Sequence, residues 1–181
     1  MTDRVFEAFL RRQYDAGSAL ARESDILRLL PMGEPTDRYV ASFACKGFVQ
    51  ERSGLIAEAA QFAVGIWFPS GYLRSANPFQ VLTWLGPRNV WHPNIAADAP
   101  AICIGRLAPG TGLVDILCQV FEIITWNKVT MREDDSLNKA ACQWARGNLS
   151  RFPLDRRPLK RRALDLRLDD APARSPADGR E

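Results

Sequence analysis

Four short apolar segments follow one another between residues 25 and 85, and no helical pattern separates them. In the second segment, Tyr39, Ala41, Phe43 and Cys45 alternate with other residues, which places them on one face of a strand. The stretches "MGEPTD" and "ERSG" between the segments contain the glycine and proline typical of turns. Successive strands joined by turns pair antiparallel, so the sequence predicts a four-stranded antiparallel meander sheet. The four segments cover residues 25–31, 38–48, 55–69 and 79–85.

Helical patterns lie on both sides of the predicted sheet. Near the N-terminus, Phe6, Leu10 and Tyr14 recur at helical spacing, and Thr2 or Asp3 can cap the helix. After the sheet, a long stretch rich in Pro, Gly and Asn precedes two more segments with helical patterns. The sequence therefore predicts an α+β fold with an N-terminal helix, a meander sheet, a long loop and two C-terminal helices. The predicted helices cover residues 2–22, 112–126 and 134–149.

The chain has 181 residues, of which 46% are hydrophobic, enough for one domain with a substantial core. It contains no apolar tract of the roughly 18 residues that a membrane span needs, and its charged N-terminus is unlike a secretory signal. We therefore expect a cytoplasmic protein with no membrane partner. The four cysteines form no CxxC pair, so we expect free thiols, no metal site and no cofactor.

The net positive charge comes from the C-terminal part of the chain. Residues 1–150 carry 15 Lys and Arg against 15 Asp and Glu, whereas residues 151–181 carry 9 against 6. We predict a folded domain over 1–150 and a basic, Pro- and Arg-rich tail over 151–181, with roughly the last fifteen residues disordered. Nucleic-acid readers usually carry a basic face on the folded core, so nucleic acid is not an expected partner.

The long loop before the second predicted helix contains "WHPNIAADAPAICIG". A long loop without secondary structure in a compact domain is usually functional. This one holds the only histidine of the chain, His92, together with Asn94 and Cys103. Cys118 and Cys142 have apolar neighbours on the predicted helices and are expected to be inert core thiols. Cys103 is therefore the candidate nucleophile, although cysteine is also common as a small buried side chain.

Two modes of activation for Cys103 are compatible with this spacing. In a Cys–His hydrolase, His92 would act as the base that deprotonates the thiol. In thioester exchange no base is needed, because a thiol of ordinary pKa is already a good nucleophile at neutral pH. That second chemistry needs a donor to the tetrahedral oxyanion, which the side-chain amide of Asn94 can supply. Asn94 could equally be a turn residue that bonds its own backbone.

Several motifs in the chain resemble those of one enzyme family. "HPNI" followed by "ICIG" is similar to the His-Pro-Asn and active-site cysteine signature of ubiquitin-conjugating enzymes (E2s). "FPSGYL" and "DDSLN" resemble motifs that flank that signature, and the likeness covers about residues 2–150. "AACQWARGNLSRFPLDRRPL" and "APGTGL" resemble the bacterial branch, which is encoded beside E1-like and ubiquitin-like proteins, sometimes in antiphage defence loci.

The resemblance implies a UBC-like fold and a transferase activity. It implies that Cys103 accepts a ubiquitin-like protein as a thioester from an E1-like enzyme and passes it to an amine, such as a lysine, of a protein target. Asn94 then matches the residue that stabilises the oxyanion or orders the loop, and His92 matches a histidine with a mainly structural role. The alternatives are a non-catalytic E2 variant that serves as a binding module, and the Cys–His hydrolase.

Further site residues follow from the same resemblance. Asp135 matches an aspartate that positions or deprotonates the incoming lysine, although a carboxylate near a helix N-terminus can also be purely structural. Arg4, Arg11 and Arg12 on the first helix are the expected docking face for the E1-like partner, against the alternative of a solvated face. The stretch "YLRSANP" departs from the family because Arg74 lies near a position that is usually apolar, which puts recognition of RING-type ligases in doubt.

Overall fold

The computed structural model describes residues 3–160. Its first helix, α1, spans Arg4–Arg22, and the Asp3 carboxylate caps it by accepting hydrogen bonds from the main-chain N–H groups of Val5 and Phe6. α1 packs on the first strand of the sheet and on a later helix. The approach is close at Gly17, where an added Cβ would lie 2.6 Å from Leu113. The N-terminal helix predicted from the sequence is confirmed.

A four-stranded antiparallel sheet forms the centre of the fold, as predicted. In spatial order its strands are β1 (Leu27–Met32), β2 (Arg38–Phe43), β5 (Phe62–Trp67) and β6 (Leu82–Gly86). The predicted alternation on the second strand is correct, because Tyr39, Ala41 and Phe43 are all buried in the core. Val64 and Ile66 on β5 are buried with them.

The two longest predicted strands are each interrupted. The second continues after a break as β3 (Gly47–Gln50), and the third begins as β4 (Ile56–Ala59); β3 and β4 pair with each other in a separate two-stranded sheet. At the break before β3, the main-chain N–H of Lys46 donates to the Asp155 carboxylate at 3.2 Å. The Ala44 carbonyl accepts from Arg157 Nη2 at 3.0 Å. Side chains from far along the chain thus replace the missing strand hydrogen bonds.

The fourth predicted strand, residues 79–85, is wrong at its start. Pro78–Val81 form a short helix, α2, and only the following residues enter β6. The Asn77 side chain caps α2 by accepting from the Phe79 N–H at 3.0 Å, and proline occupies the first turn. Both features favour a helix N-terminus over a strand.

Two helices follow the long loop in the structure. α3 (Leu113–Ile124) buries Ile116, Leu117 and Val120 in the core. α4 (Lys139–Arg146) is shorter than the predicted 134–149. The acidic residues that were expected to begin it form a separate 3₁₀ turn, Glu133–Asp135, and the helix begins only after Asn138, whose side chain accepts from the Ala141 N–H.

Residues beyond 150 continue to pack on the domain. Phe152 stacks on Trp126 with ring centroids 4.5 Å apart, and Leu159 is buried in the main core. Arg157, which belongs to the predicted basic tail, forms an ion pair with Asp155 at 2.6 Å. The disorder predicted for the end of the chain falls outside the described residues. Within residues 3–160, no helix is long and apolar enough to cross a membrane.

Candidate active site

The loop that carries the candidate residues folds back on itself. Ile95 and Ile102 face each other in an isolated antiparallel bridge, and both are fully buried. Beside this bridge the Cys103 N–H donates to the Asn94 carbonyl at 2.8 Å, and the Ala96 N–H donates to the Ala101 carbonyl at 2.9 Å. Two apolar anchors in the core therefore bring Asn94 and Cys103, nine positions apart, next to each other.

Cys103 is partly exposed, while Ile102 and Ile104 on either side of it are buried. Of the other thiols, Cys142 is buried as predicted, whereas Cys118, which was also expected in the core, is partly exposed. Burial raises the pKa of the Cys45 thiol to about 12 and also raises the pKa of Cys118. A raised pKa lowers the thiolate fraction at neutral pH, so Cys45 and Cys118 are poorer nucleophiles than a thiol of ordinary pKa.

Asn94 ties three segments together. Its Nδ2 donates to the Cys103 carbonyl at 3.0 Å, and its Oδ1 accepts from the Thr130 N–H at 2.9 Å. Only 4% of the residue is exposed. These contacts are those of a residue that orders the loop. An amide nitrogen carries two hydrogens, and the Cys103 carbonyl accepts one of them.

His92 is a buried, neutral side chain. It is 1% exposed, and burial lowers its pKa to about 3. Nδ1 accepts the Asn94 N–H at 3.0 Å, so the ring proton lies on Nε2, a buried atom with no hydrogen-bond partner among residues 3–160. The lone pair that a general base needs is already in use. This geometry opposes the Cys–His hydrolase interpretation.

An aromatic cluster, which the sequence did not reveal, supports His92. The Trp126 ring meets the imidazole edge-on, with centroids 4.5 Å apart. Trp126 has φ of +62°, a left-handed conformation that is costly for a bulky side chain and persists only where packing enforces it. Phe48, Trp144 and Phe152 all pack against Trp126 and enforce that conformation.

Asp135 lies on the surface. It ends the 3₁₀ turn before α4, and its carboxylate pairs with Arg132 Nε at 3.5 Å. The segment immediately after it is fixed to the loop, because the N–H groups of Leu137 and Asn138 donate to the Pro93 carbonyl at 2.9 and 3.1 Å. No hydrogen bond or ion pair described within residues 3–160 joins the Asp135 carboxylate to Cys103 or Asn94.

Arg4, Arg11 and Arg12 are exposed on α1. They border a shallow surface depression together with Val5, which is 68% exposed. The inner side of the helix is used for packing through Leu10 and its apolar neighbours. These arginines are therefore accessible to a partner, and the residues that line the depression include none from the loop that carries Cys103.

Lys128 contacts the residue after Cys103, and the sequence alone did not indicate this contact. Its Nζ donates to the Ile104 carbonyl at 2.6 Å and to Gln119 Oε1 at 3.0 Å. A lysine in a loop 24 positions after Ile104 gives no local signal of such a contact.

Among residues 3–160, no group of three or more His, Cys, Asp or Glu could hold a metal ion.

Comparison with known proteins identifies the architecture. No protein-family model matches the chain, and a search of curated proteins finds no match. Among solved structures, one described as a novel ubiquitin-conjugating enzyme matches with a TM-score of 0.55 at 15% identity, over 83% of this chain and 91% of that chain. The chain has a UBC-like fold. This agrees with the fold expected from the sequence motifs, and at this identity the likeness concerns the fold alone.

Proposed function

We propose that this chain is an E2-like conjugating enzyme. It accepts the C-terminal carboxyl group of a ubiquitin-like protein from an E1-like enzyme as a thioester on Cys103, and transfers it to an amine of a target protein. The observation that carries the proposal is a partly exposed thiol whose main chain is hydrogen-bonded on both sides to Asn94, within a UBC-like fold.

The chemistry consists of two acyl transfers. The Cys103 thiolate attacks the carbonyl carbon of the incoming thioester, a new C–S bond forms, and the E1-like cysteine leaves as a thiolate. The target amine then attacks the same carbon and loses a proton to solvent water, and the C–S bond breaks so that Cys103 leaves as a thiolate. Neither step needs His92 as a base, because the acyl group is already activated. The second hydrogen of the Asn94 amide donates to the oxyanion, and Asp135 helps to orient the amine.

The partner surfaces belong to the same proposal. Arg4, Arg11 and Arg12 provide exposed positive charge on α1 for an acidic surface of the E1-like partner, which would speed association at low salt. The resemblance of "APGTGL" and "AACQWARGNLSRFPLDRRPL" to the bacterial branch supports a bacterial conjugation pathway. We place this pathway in the cytoplasm, with antiphage defence among its settings.

A trapping experiment tests the proposal. The full chain is incubated with ATP and with the E1-like and ubiquitin-like proteins encoded by neighbouring genes. We expect an adduct that dithiothreitol removes, an adduct resistant to dithiothreitol in Cys103→Ser, and none in Cys103→Ala. Cys118→Ser is the matched control, because Cys118 is also partly exposed yet should leave the adduct unchanged. An adduct that is lost in Cys118→Ser, or that never forms with the wild-type chain, would overturn the proposal.

A further inference from the structure

The peptide that follows Cys103 is held by an ammonium group from another part of the chain. Lys128 Nζ lies 2.6 Å from the Ile104 carbonyl oxygen and 3.0 Å from Gln119 Oε1 on α3. An ammonium has three N–H donors. Both of these hydrogen bonds are charge-assisted, because the donor is charged, and both are partly shielded from solvent. Gln119 is therefore placed to keep Lys128 directed at the peptide after the nucleophile.

The main chain turns sharply at this point. Gly105 has φ of +88°, a left-handed conformation that glycine adopts easily, and an added Cβ there would lie 3.9 Å from Lys128 Nζ. The Ile104 carbonyl at such a turn has no strand partner, and Lys128 satisfies it. Two residues thus fix the main chain around Cys103. Asn94 is hydrogen-bonded to the N–H and the carbonyl of Cys103, and Lys128 is hydrogen-bonded to the carbonyl of Ile104.

We propose that Lys128 is a positioning residue for acyl transfer at Cys103, an inference that rests on the proposed function. It fixes the peptide after the nucleophile and keeps a positive charge beside the site. In the first acyl transfer, negative charge moves from the attacking sulfur to the tetrahedral oxyanion and then to the leaving sulfur. In the second, it develops on the oxyanion as the amine attacks and then passes to the Cys103 sulfur. A fixed cation beside the site stabilises the oxyanion in both. Holding the nucleophile in place also reduces the cost of reaching the reactive geometry.

A comparison of two reactions of the Cys103 thiol distinguishes positioning by Lys128 from an effect of Lys128 on the exposure of the thiol. With the mercaptoethanesulfonate thioester of N-acetylglycine, the Cys103 sulfur attacks the carbonyl carbon, an oxyanion forms, and mercaptoethanesulfonate leaves as a thiolate. With iodoacetamide, the same sulfur displaces iodide and no oxyanion forms. Both adducts are measured by intact-protein mass spectrometry in a Cys118→Ser background, with Cys103→Ser subtracted.

We expect Lys128→Met to lower the rate constant of acyl transfer by about tenfold and that of alkylation by less than about twofold. Lys128→Arg, which keeps the charge and a donor, should recover acyl transfer to within about threefold of the wild type. Arg106→Met is the matched control, since it removes an exposed cation two residues after Ile104 and should change neither rate. Gln119→Met should lower acyl transfer less than Lys128→Met does, because it removes one contact of Lys128.

Two results would overturn the inference. One is equal rates in Lys128→Met and Arg106→Met; the other is an equal fall in both reactions, which would show that Lys128 controls only access to the thiol. If Lys128→Met does not fold, as judged by thermal unfolding, Gln119→Met and Lys128→Arg carry the comparison. The small thioester needs no E1-like partner, so a failure of the trapping experiment with an intact Lys128 effect would reject the proposed function separately.

Discussion

The contact between Asp155 and Arg157 allows a quantitative prediction of stability. The Asp155 side chain is 5% exposed and pairs with Arg157 Nη2 at 2.6 Å, while its carboxylate also accepts the Lys46 N–H at the break between β2 and β3. The hydrogen bond from Arg157 lowers the pKa of Asp155 to about 2. Against an unfolded value of about 3.9, this difference corresponds to roughly 2 kcal/mol of stability at neutral pH.

The sign of the effect determines the assay. Because the folded pKa is depressed, the stabilisation is fully present above about pH 4 and is lost as the pH falls towards 2. We expect urea unfolding of Asp155→Asn to give a free energy of unfolding about 2 kcal/mol below wild type at pH 7, with the difference shrinking below pH 4. Glu58→Gln removes an exposed partner of Lys46 and should cost less than about 1 kcal/mol. A deficit in Asp155→Asn that stays constant from pH 7 to pH 2 would refute the reasoning.

Three further variants test the loop and the packing of α1. His92→Ala should leave iodoacetamide alkylation of Cys103 within about twofold of wild type, and a large fall would reinstate His92 as a base. The same variant should unfold at a lower temperature, since it empties a fully buried site. Asn94→Ala should lower the free energy of unfolding by about 2 kcal/mol, measured in urea, because it leaves the Cys103 carbonyl and a main-chain N–H unpaired. Gly17→Ala should cost about 1–3 kcal/mol by the same measurement, since its Cβ would overlap Leu113, and a neutral effect would contradict the observed approach.

Local patterns in the sequence predicted the helices and strands whose formation depends mainly on residues close together in the chain. The alternation around Tyr39 predicted a strand with one buried face, and the spacing on α1 predicted a helix. The break before β3 was not predictable, because Asp155, which satisfies its backbone, lies 109 positions away from Lys46. The start of β6 was missed for a different reason: Asn77 and Pro78 provide a local cap signal that outweighs the strand propensity after it.

The residues of the candidate site also fall into a group that the sequence indicated and a group that it did not. His92, Asn94 and Cys103 lie on one loop, so their spacing was enough to bring them to notice. Lys128 and Trp126 reach that loop only through the fold, and a lone lysine or tryptophan carries no pattern that indicates such a contact. Single residues that act through tertiary contacts leave no periodicity to read.

The ring cluster around His92 also has a consequence for how this protein can change over evolution. Phe48, Trp126, Trp144 and Phe152 come from four separate parts of the chain but share one volume, so the size of each ring limits the others. In a set of relatives we expect these four positions to covary, with a smaller ring at one compensated by a larger ring at another. The surface arginines of α1 share no such volume, so their variation should instead follow the partner they meet.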